Sequence, residues 1–526
     1  MQVYAGLASP RTSDLTESGN GVLPVHGVRT RMDSPRSRGR SAPCLPLLVL
    51  ALIAVSSPLT AQETPKVDGQ EAPKVDAWGV PTRPVVAIGE VVGINVFTWS
   101  MNYYVRDEDF AVVYPKTWWN NISNGFEYDG NLFATNMIDH PYHGSTYFNA
   151  SRSNGIGFWG SVPLTLAGSL MWECCGERHP MAFNDVVNTT LGGIALGEAL
   201  YRSSSTVLSN EATGAGRAGR EIAGFFMNPL RGFNRIISGR MFSVAPNPVD
   251  LNDRTPDFFR FSLDAGYRGV NPDSDTRDDV TGAFFRFRMD FGSPFDGRRR
   301  GAFDVFEFDM TMYAGDQNVF GALAVRGNLL TRDLKRGGSS EHVWAIVQSH
   351  EYDDNSAYQF GDQNIGLRVE SLWKLGAASS MVTRIQGGAI LFGTLDSALQ
   401  PAGDLPSSWN LRPFDYTTGL DGRIEAEAHL GRFVGGATWR SSWMTSVNHN
   451  SLNGGSADHW VHQGRLSANF RIGQSLGLGG DFRLWLRNSS YSIGLFEDVQ
   501  ETVPEIRIFG TWVIVPGRDG ASPTIF

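Results

Sequence analysis

The side chains best suited to chemistry lie in one stretch of the sequence, residues 131–202. They are two histidines, one arginine and four carboxylates, separated by apolar runs: His140, His143, Arg152, Glu173, Glu177, Asp185 and Glu198. Glu173 and Glu177 stand one helical turn apart and therefore share a helix face. Two apolar helices packed antiparallel would bring Glu173, Glu177 and Asp185 together near the turn between them.

A buried group of carboxylates and imidazoles is compatible with two kinds of chemistry. Oxygen and imidazole ligands can bind a divalent cation. A carboxyl with a raised pKa can act as a general acid or base on a lipid ester or a glycan. The signatures of di-iron bundles, nucleophile elbows, zinc helices and phosphate loops are missing from the sequence. The metal or cofactor therefore stays unknown, and so does whether the protein is an enzyme.

The same residues also have a purely structural interpretation, which we favour. Asp185 can cap the helix that follows it. Glu173 and Glu177 can face solvent at the helix end or pair with Arg152 and Arg178. Glu198 can pair with Arg202 one helical turn later. A buried charge needs a partner whether or not it takes part in a reaction.

Composition limits the class of protein. The chain has 526 residues, of which only 19% are charged, with 60 Gly, 14 Trp and 32 Phe. This composition suits a β-rich envelope protein better than a cytosolic enzyme. A net charge of −9 argues against nucleic acid as a partner.

The N-terminal part of the chain is predicted to direct export. Residues 1–61 are interpreted as a disordered extension and a signal peptide, starting at Met1 or Met32, with an apolar run at 45–55 and cleavage after Ala61. An uncleaved N-terminal anchor is the alternative. Residues 62–86 are a Pro-rich linker. Adjacent cysteines rarely reach disulfide geometry, so Cys174 and Cys175 are not expected to form a bond.

Two structural regions follow the linker, which predicts an α+β fold. Residues 87–239 have apolar runs of helical length and form an α-helical unit. Residues 255–526 alternate apolar and polar side chains with period two, as in Phe259, Phe261 and Leu263. About twelve such segments predict an outer-membrane β-barrel of about 12 antiparallel strands. A soluble β-sandwich also alternates, but the long, sustained series of strands and the predicted signal peptide favour the barrel.

The central stretch resembles an uncharacterised bacterial outer-membrane family, the domain of unknown function number 3943. The shared pattern covers about residues 87–239 and consists of Phe133-x-x-Asn136, His140-Pro-Tyr-His-Gly144, Arg152-x-Asn154-Gly155, Trp172-Glu173, Asn184-Asp185, Gly197-Glu198 and Asn228-Pro-x-Arg231. The resemblance implies a Gram-negative envelope protein without an established activity.

These observations predict a protein of the cell outer membrane whose helical unit plugs the barrel or docks envelope lipids or another envelope protein. The alternative is a membrane-embedded enzyme that modifies a lipid or glycan with the Glu/Asp/His cluster of the helical unit.

Overall fold

The computed structural model describes residue 76, residues 78–247 and, with gaps, residues 256–514; the gaps are 257, 272–278, 297–300, 315–318, 356, 398–413, 449–454, 474 and 493–496. All of the described residues belong to one compact unit, Pro58–Phe526. The predicted signal peptide and the first part of the predicted linker lie outside the described residues.

The helical unit begins inside the predicted linker, at Asp76. The helices are α1 Pro84–Ser100, α2 Pro115–Asn124, α3 His140–Ser153, α4 Phe158–Cys175, α5 Phe183–Val187, α6 Gly193–Val207, α7 Gly214–Met227 and α8 Pro229–Ile237. A proline stands in the first turn of α1, α2 and α8, where its missing N–H costs nothing. A wider helical turn, Met101–Arg106, extends α1.

Close packing of α3 against α6 depends on glycine. A Cβ atom on Gly144 would lie 1.7 Å from the carbonyl oxygen of Thr189, and one on Gly193 would lie 2.6 Å from the Cα of Gly144. Neither position can hold a larger residue unless a backbone moves. The two helices therefore approach through their backbones, as small residues allow.

The second region is a closed barrel of twelve antiparallel strands, as the alternating sequence predicts. The strands are β1 Phe259–Val270, β2 Val280–Phe291, β3 Phe306–Ala314, β4 Phe320–Lys335, β5 Ser340–Asp354, β6 Gln359–Gly376, β7 Ser379–Asp396, β8 Phe414–Leu430, β9 Phe433–Ser446, β10 Ala457–Arg471, β11 Leu476–Tyr491 and β12 Val499–Ile514. Each strand pairs with its neighbours in sequence, and β12 pairs with β1 to close the barrel.

The alternation along the strands separates an apolar outer wall from a charged lumen. Arg260 on β1 lies 3.6 Å from Glu427 on β8, which is on the far side of the barrel, so these side chains point inward. The intervening positions point outward and include exposed apolar residues such as Phe285 and Ile424. A closed barrel with an apolar outer wall leaves no backbone group unpaired in lipid. The protein is therefore an outer-membrane barrel protein.

The lumen is filled by the protein's own side chains. Glu351 forms ion pairs with Arg326, Arg423 and Arg440 at 2.8, 2.6 and 3.1 Å. Near the β5–β6 loop, the ring of Tyr358 stacks on Trp485 with centroids 4.0 Å apart. A cavity of about 250 Å³ remains between the charged residues.

The helical unit packs against the outer wall of the barrel. Tyr352 alternates with the lumen residues Glu351 and Asp353 and so points outward, and Phe133 stacks on it with ring centroids 5.3 Å apart. Phe133 also contacts Phe414 at 5.6 Å. The plug arrangement that the sequence left open is not the one found, because the unit binds outward-facing residues.

Polar contacts reinforce this packing. The side-chain amide of Gln348 on β5 donates to the carbonyl oxygen of Leu191 at 2.9 Å, and that of Gln363 on β6 lies 3.3 Å from Asn188. Arg202 of α6 pairs with Asp304, in the connection between β2 and β3, at 2.8 Å. That connection is at the opposite end of the barrel from the loops next to Tyr352 and Phe414. The helical unit therefore follows the wall from one end towards the other.

Candidate functional site: a buried carboxyl cluster

The end of α4 and the turn after it position the first two carboxyl groups. Glu173 is buried, and its Oε2 accepts a hydrogen bond from the backbone N–H of Ala182 at 2.8 Å. The side-chain amide of Asn121 donates to the backbone carbonyls of Cys174 and Glu177, at 3.3 and 2.8 Å. These contacts hold the chain in a tight turn, so that Glu173 and Glu177 face the start of α5.

The second pair of carboxyl groups is joined through asparagine. The side-chain amide of Asn184 lies 2.6 Å from Asp129 Oδ1 and 2.7 Å from Asp185 Oδ1. Asn131 donates to Asp129 and lies 3.3 Å from Asp185 Oδ2. Asp185 therefore does not cap α5; its carboxyl group instead belongs to this polar cluster.

Burial and mutual repulsion favour the protonated forms of these acids. Burial, with the nearby charge of Asp129, raises the pKa of Glu177 to about 8. Burial also raises the pKa of Asp185 well above its usual range, and the charges of Asp129, Glu173 and Glu177 add to the effect. A cluster in which several carboxyls keep their protons can be stable without a matching number of cations.

His140 is the histidine that joins the cluster. Its Nε2 lies 3.3 Å from Asp185 Oδ1, and its Nδ1 lies 3.3 Å from the hydroxyl of Thr189. Burial lowers the pKa of His140 to about 3, so the imidazole is neutral. Among the described residues, no three His, Cys, Asp or Glu side chains have an arrangement that could hold a metal ion.

His143 belongs to a separate network on the other side of α3. Its Nε2 lies 2.9 Å from the hydroxyl of Tyr147, which donates to Asn95 Oδ1 at 2.6 Å. Its ring packs edge-on against Trp172, with centroids 5.4 Å apart. His143 thus links α3 to α1 and α4 rather than completing the carboxyl cluster.

Arg152 and Glu198 form a third, fully paired group. Glu198 accepts from Arg152 Nε and from Arg202 Nε, both at 2.8 Å. The predicted pairing of Glu198 with Arg202 is present, whereas the suggested pairing of Arg152 with Glu173 is not. Two arginines and one buried carboxylate form a structural ion-pair network. Arg202 extends this network to the barrel through Asp304.

Three features were not foreseen from the sequence. Asp129 precedes the stretch singled out there and lies in a short polar segment that resembles an exposed turn. The hydroxyl of Tyr416, on β8, accepts from Asn136 at 3.1 Å and brings the barrel wall to the cluster. Cys174 and Cys175 form a disulfide bond, contrary to the expectation for adjacent cysteines. The pair stands at the C-terminal end of α4.

The arrangement can hold protons and donate hydrogen bonds from neutral carboxyls. Asn184 Nδ2 also lies 2.7 Å from Asn136 Oδ1, so an unbroken chain of polar contacts runs from the acids to Tyr416. Chemistry on a bound molecule would require that molecule to enter a region in which Glu173, Asp185 and Asn184 are almost fully buried. The geometry therefore fits a polar network better than an open catalytic centre.

Comparisons with solved structures find outer-membrane proteins that cover about half of this chain. The chain is similar to the NanC porin (12% identity, 48% of this chain and 98% of that one, TM-score 0.23). It is also similar to the outer membrane phospholipase A of Escherichia coli (10% identity, 49% and 90%, TM-score 0.25) and to the Pseudomonas putida toluene transporter TodX (9% identity, 51% and 91%, TM-score 0.22). At these identities and TM-scores, the similarity does not indicate the activity of this chain.

Comparisons of sequence bear on the helical unit. A search of curated proteins finds no significant match. Residues 125–230 match the profile of a family described as a domain of unknown function, DUF3943. This match contains the carboxyl cluster and the Arg152–Glu198 pair, and it is shorter than the region over which the sequence pattern was noted. The likeness to DUF3943 covers residues 125–230 of this chain.

Proposed function

We propose that the helical unit is a membrane-embedded docking module for envelope lipids, carried on the outer wall of the barrel. The observation that carries this proposal is the packing of the unit on outward-facing residues such as Tyr352 and Phe414. Elsewhere on the barrel, the same positions face lipid. A unit that covers this wall stands in the place of lipid and presents its own outer surface to the bilayer.

The surface of α1 suits contact with lipid. Val85, Ile88, Val92 and Val96 recur at helical spacing on one side and are exposed. The segment Pro84–Arg106 is long and apolar enough to cross a membrane, and most of it is not buried in the protein. An exposed apolar face of this length needs an apolar partner. Because the unit that carries α1 packs on the outward-facing wall of the barrel, we assign that role to outer-membrane lipid.

Fluorescence quenching by brominated lipid tests this assignment. A bimane probe is attached to Val92→Cys on α1 and, as a matched control, to Ala377→Cys in the exposed turn between β6 and β7. In vesicles, brominated acyl chains are expected to quench the probe at 92 strongly and the probe at 377 weakly. Equal, weak quenching at both positions would mean that α1 does not face lipid; another envelope protein would then be the better candidate partner.

The carboxyl cluster supports a second candidate function, a membrane-embedded enzyme that acts on a lipid or glycan. Its support is the raised pKa of Glu177, which leaves a proton available near neutral pH. A Glu173→Gln variant separates the two functions. If it folds normally and the lipid composition of the host changes, the enzymatic function is favoured. If only folding or protein level falls, the cluster is structural.

A further inference from the structure

A second polar region of the helical unit surrounds a cavity of about 240 Å³. It lies where residue 76 and residues 78–83 fold over α3, α6 and α8. Four arginines and one aspartate line it: Arg83, Arg231, Arg235, Arg240 and Asp76. Since about 10–15 Å³ is enough for one water molecule, the cavity has room for a group of several heavy atoms.

Three hydrogen-bond donors on the cavity wall lack a partner among the described residues. They are the indole Nε1 of Trp78, the Nε of Arg83 and the hydroxyl of Ser153. Trp78 and Ser153 are each only 6% exposed. Buried donors are nearly always satisfied, so a set of them around one cavity indicates an acceptor that binds there.

The charges of the cavity favour an anionic acceptor. Arg235 is matched by Glu221 at 2.6 Å, and Arg231 is held by Ser204 and by the ring of Tyr201. Arg83 and Arg240 have no such close ion pair among the described side chains; the nearby carboxylates are Asp76 and Glu90. Asp76 already accepts from the backbone N–H groups of Trp78 and Val80. Cationic groups therefore outnumber carboxylates on the cavity wall.

We infer that this cavity binds a phosphate group, presented either as the headgroup of an envelope lipid or as free phosphate. Guanidinium groups recognise phosphate through charge-assisted hydrogen bonds. Arg83 directly precedes Pro84, the first residue of α1. A headgroup held by Arg83 would leave its acyl chains beside the exposed Val85 and Ile88. The lipid form of the inference rests on the proposed function, since it requires α1 to face the bilayer.

A binding experiment with the full-length protein in detergent tests the inference. The probes are phosphatidic acid, diacylglycerol with the same acyl chains, and inorganic phosphate, each followed by native mass spectrometry and by tryptophan fluorescence. The test variant is Arg83→Gln with Arg240→Gln. The matched control is Arg220→Gln, which removes an exposed arginine of α7 whose contact is the carbonyl of Val207.

Phosphatidic acid is expected to bind more tightly than diacylglycerol, and the double variant to bind it roughly tenfold more weakly. The control should bind as the wild type does. If inorganic phosphate binds alone and displaces phosphatidic acid, the source is free phosphate; if it does neither, the source is the lipid. Equal binding of phosphatidic acid by the double variant and the control would overturn the inference.

The bimane experiment separates this inference from the proposed function. Quenching at position 92 together with unchanged phosphate binding in the double variant would leave the docking module standing and remove the phosphate site. Phosphate binding without quenching of the probe at position 92 would support the cavity as a site for free phosphate. It would contradict the proposal that the helical unit is embedded in the membrane.

Discussion

At the scale of single residues, the acids of the helical unit depend on their surroundings for their protonation. Glu173 and Asp185 are almost fully buried and face each other's charge as well as that of Asp129. Glu198, equally buried, is matched instead by two guanidinium groups. Carboxyls in one small unit are thus stabilised in two ways, by keeping a proton or by pairing with arginine.

The protonated acids make the stability of the unit depend on pH. Glu177 has an ordinary pKa of 4.5, raised to about 8 in the folded protein, so the folded state holds a proton that the unfolded state loses. Its contribution is fully present below pH 4.5 and is lost as pH rises towards 8. We expect the free energy of unfolding to fall over this range, by at most about 1.4 kcal/mol per pH unit for one group.

Urea unfolding in detergent at several pH values measures this effect. Glu177→Gln cannot lose a proton, so its curve of unfolding free energy against pH should be shallower than that of the wild type. Glu127→Gln, a change at an exposed glutamate, serves as the control and should keep the wild-type slope. A Glu177→Gln curve parallel to the control would show that Glu177 titrates normally.

The sequence predicted part of this site. Glu173, Glu177 and Asp185 were grouped because their spacing on two apolar helices indicated a shared turn, and they do converge. Their catalytic role, and that of His140, stays a prediction. His143, Arg152 and Glu198 are elsewhere in the unit, because proximity in sequence does not determine which side of a helix a residue occupies.

At the scale of elements, the helical unit depends on how closely α3 and α6 approach. Gly144 and Gly193 are in contact through their backbones, which leaves no room for a methyl group. In the sequence, the small residues Thr189, Gly193 and Gly197 recur four positions apart, a spacing that lets two helix backbones approach closely. It did not identify Gly144 as the partner, because one glycine in a polar segment has no periodicity.

We therefore expect Gly144→Ala to separate the two helices and destabilise the helical unit by about 1–3 kcal/mol or more. Hydrogen exchange of α3, followed by mass spectrometry, should show faster exchange. Gly219→Ala on α7 is the matched control, since no atom lies within 4 Å of its added Cβ. The control should be neutral or slightly stabilising, as alanine favours a helix. Unchanged exchange in Gly144→Ala would contradict the close contact.

At the scale of the whole molecule, the wall contact joins two regions that the sequence described separately. Period-two alternation predicted the twelve strands and their two faces, because lipid and lumen impose different chemistry on alternate residues. It could not show where the helical unit binds, since an outward aromatic such as Tyr352 suits lipid and a protein partner equally well. Only the three-dimensional arrangement distinguishes these environments.

Phe133 tests the attachment of the unit to the barrel. It is 2% exposed, stacks on Tyr352 and contacts the ring of Phe414. Phe133→Ala should weaken the attachment by about 3–5 kcal/mol, so limited proteolysis should cut the helical unit faster. The barrel should still migrate faster unboiled than boiled. The neighbouring Leu132→Ala, at a residue 76% exposed, should behave as the wild type. Equal proteolysis of the two variants would argue against this anchor.

The outer wall beneath the helical unit also constrains how the protein can be divided. Gln348, His350 and Gln363 occupy outward positions where a barrel in lipid needs apolar side chains, and all three are buried. A chain cut down to residues 255–526 would present these groups to hydrocarbon. It would also remove Leu191 and Asn188, the partners of Gln348 and Gln363, and polar groups without partners cost several kcal/mol in lipid. The barrel therefore depends on the helical unit of the same chain, as a subunit of an obligate dimer depends on its partner. Loss of the helices should impair insertion of the barrel into the membrane.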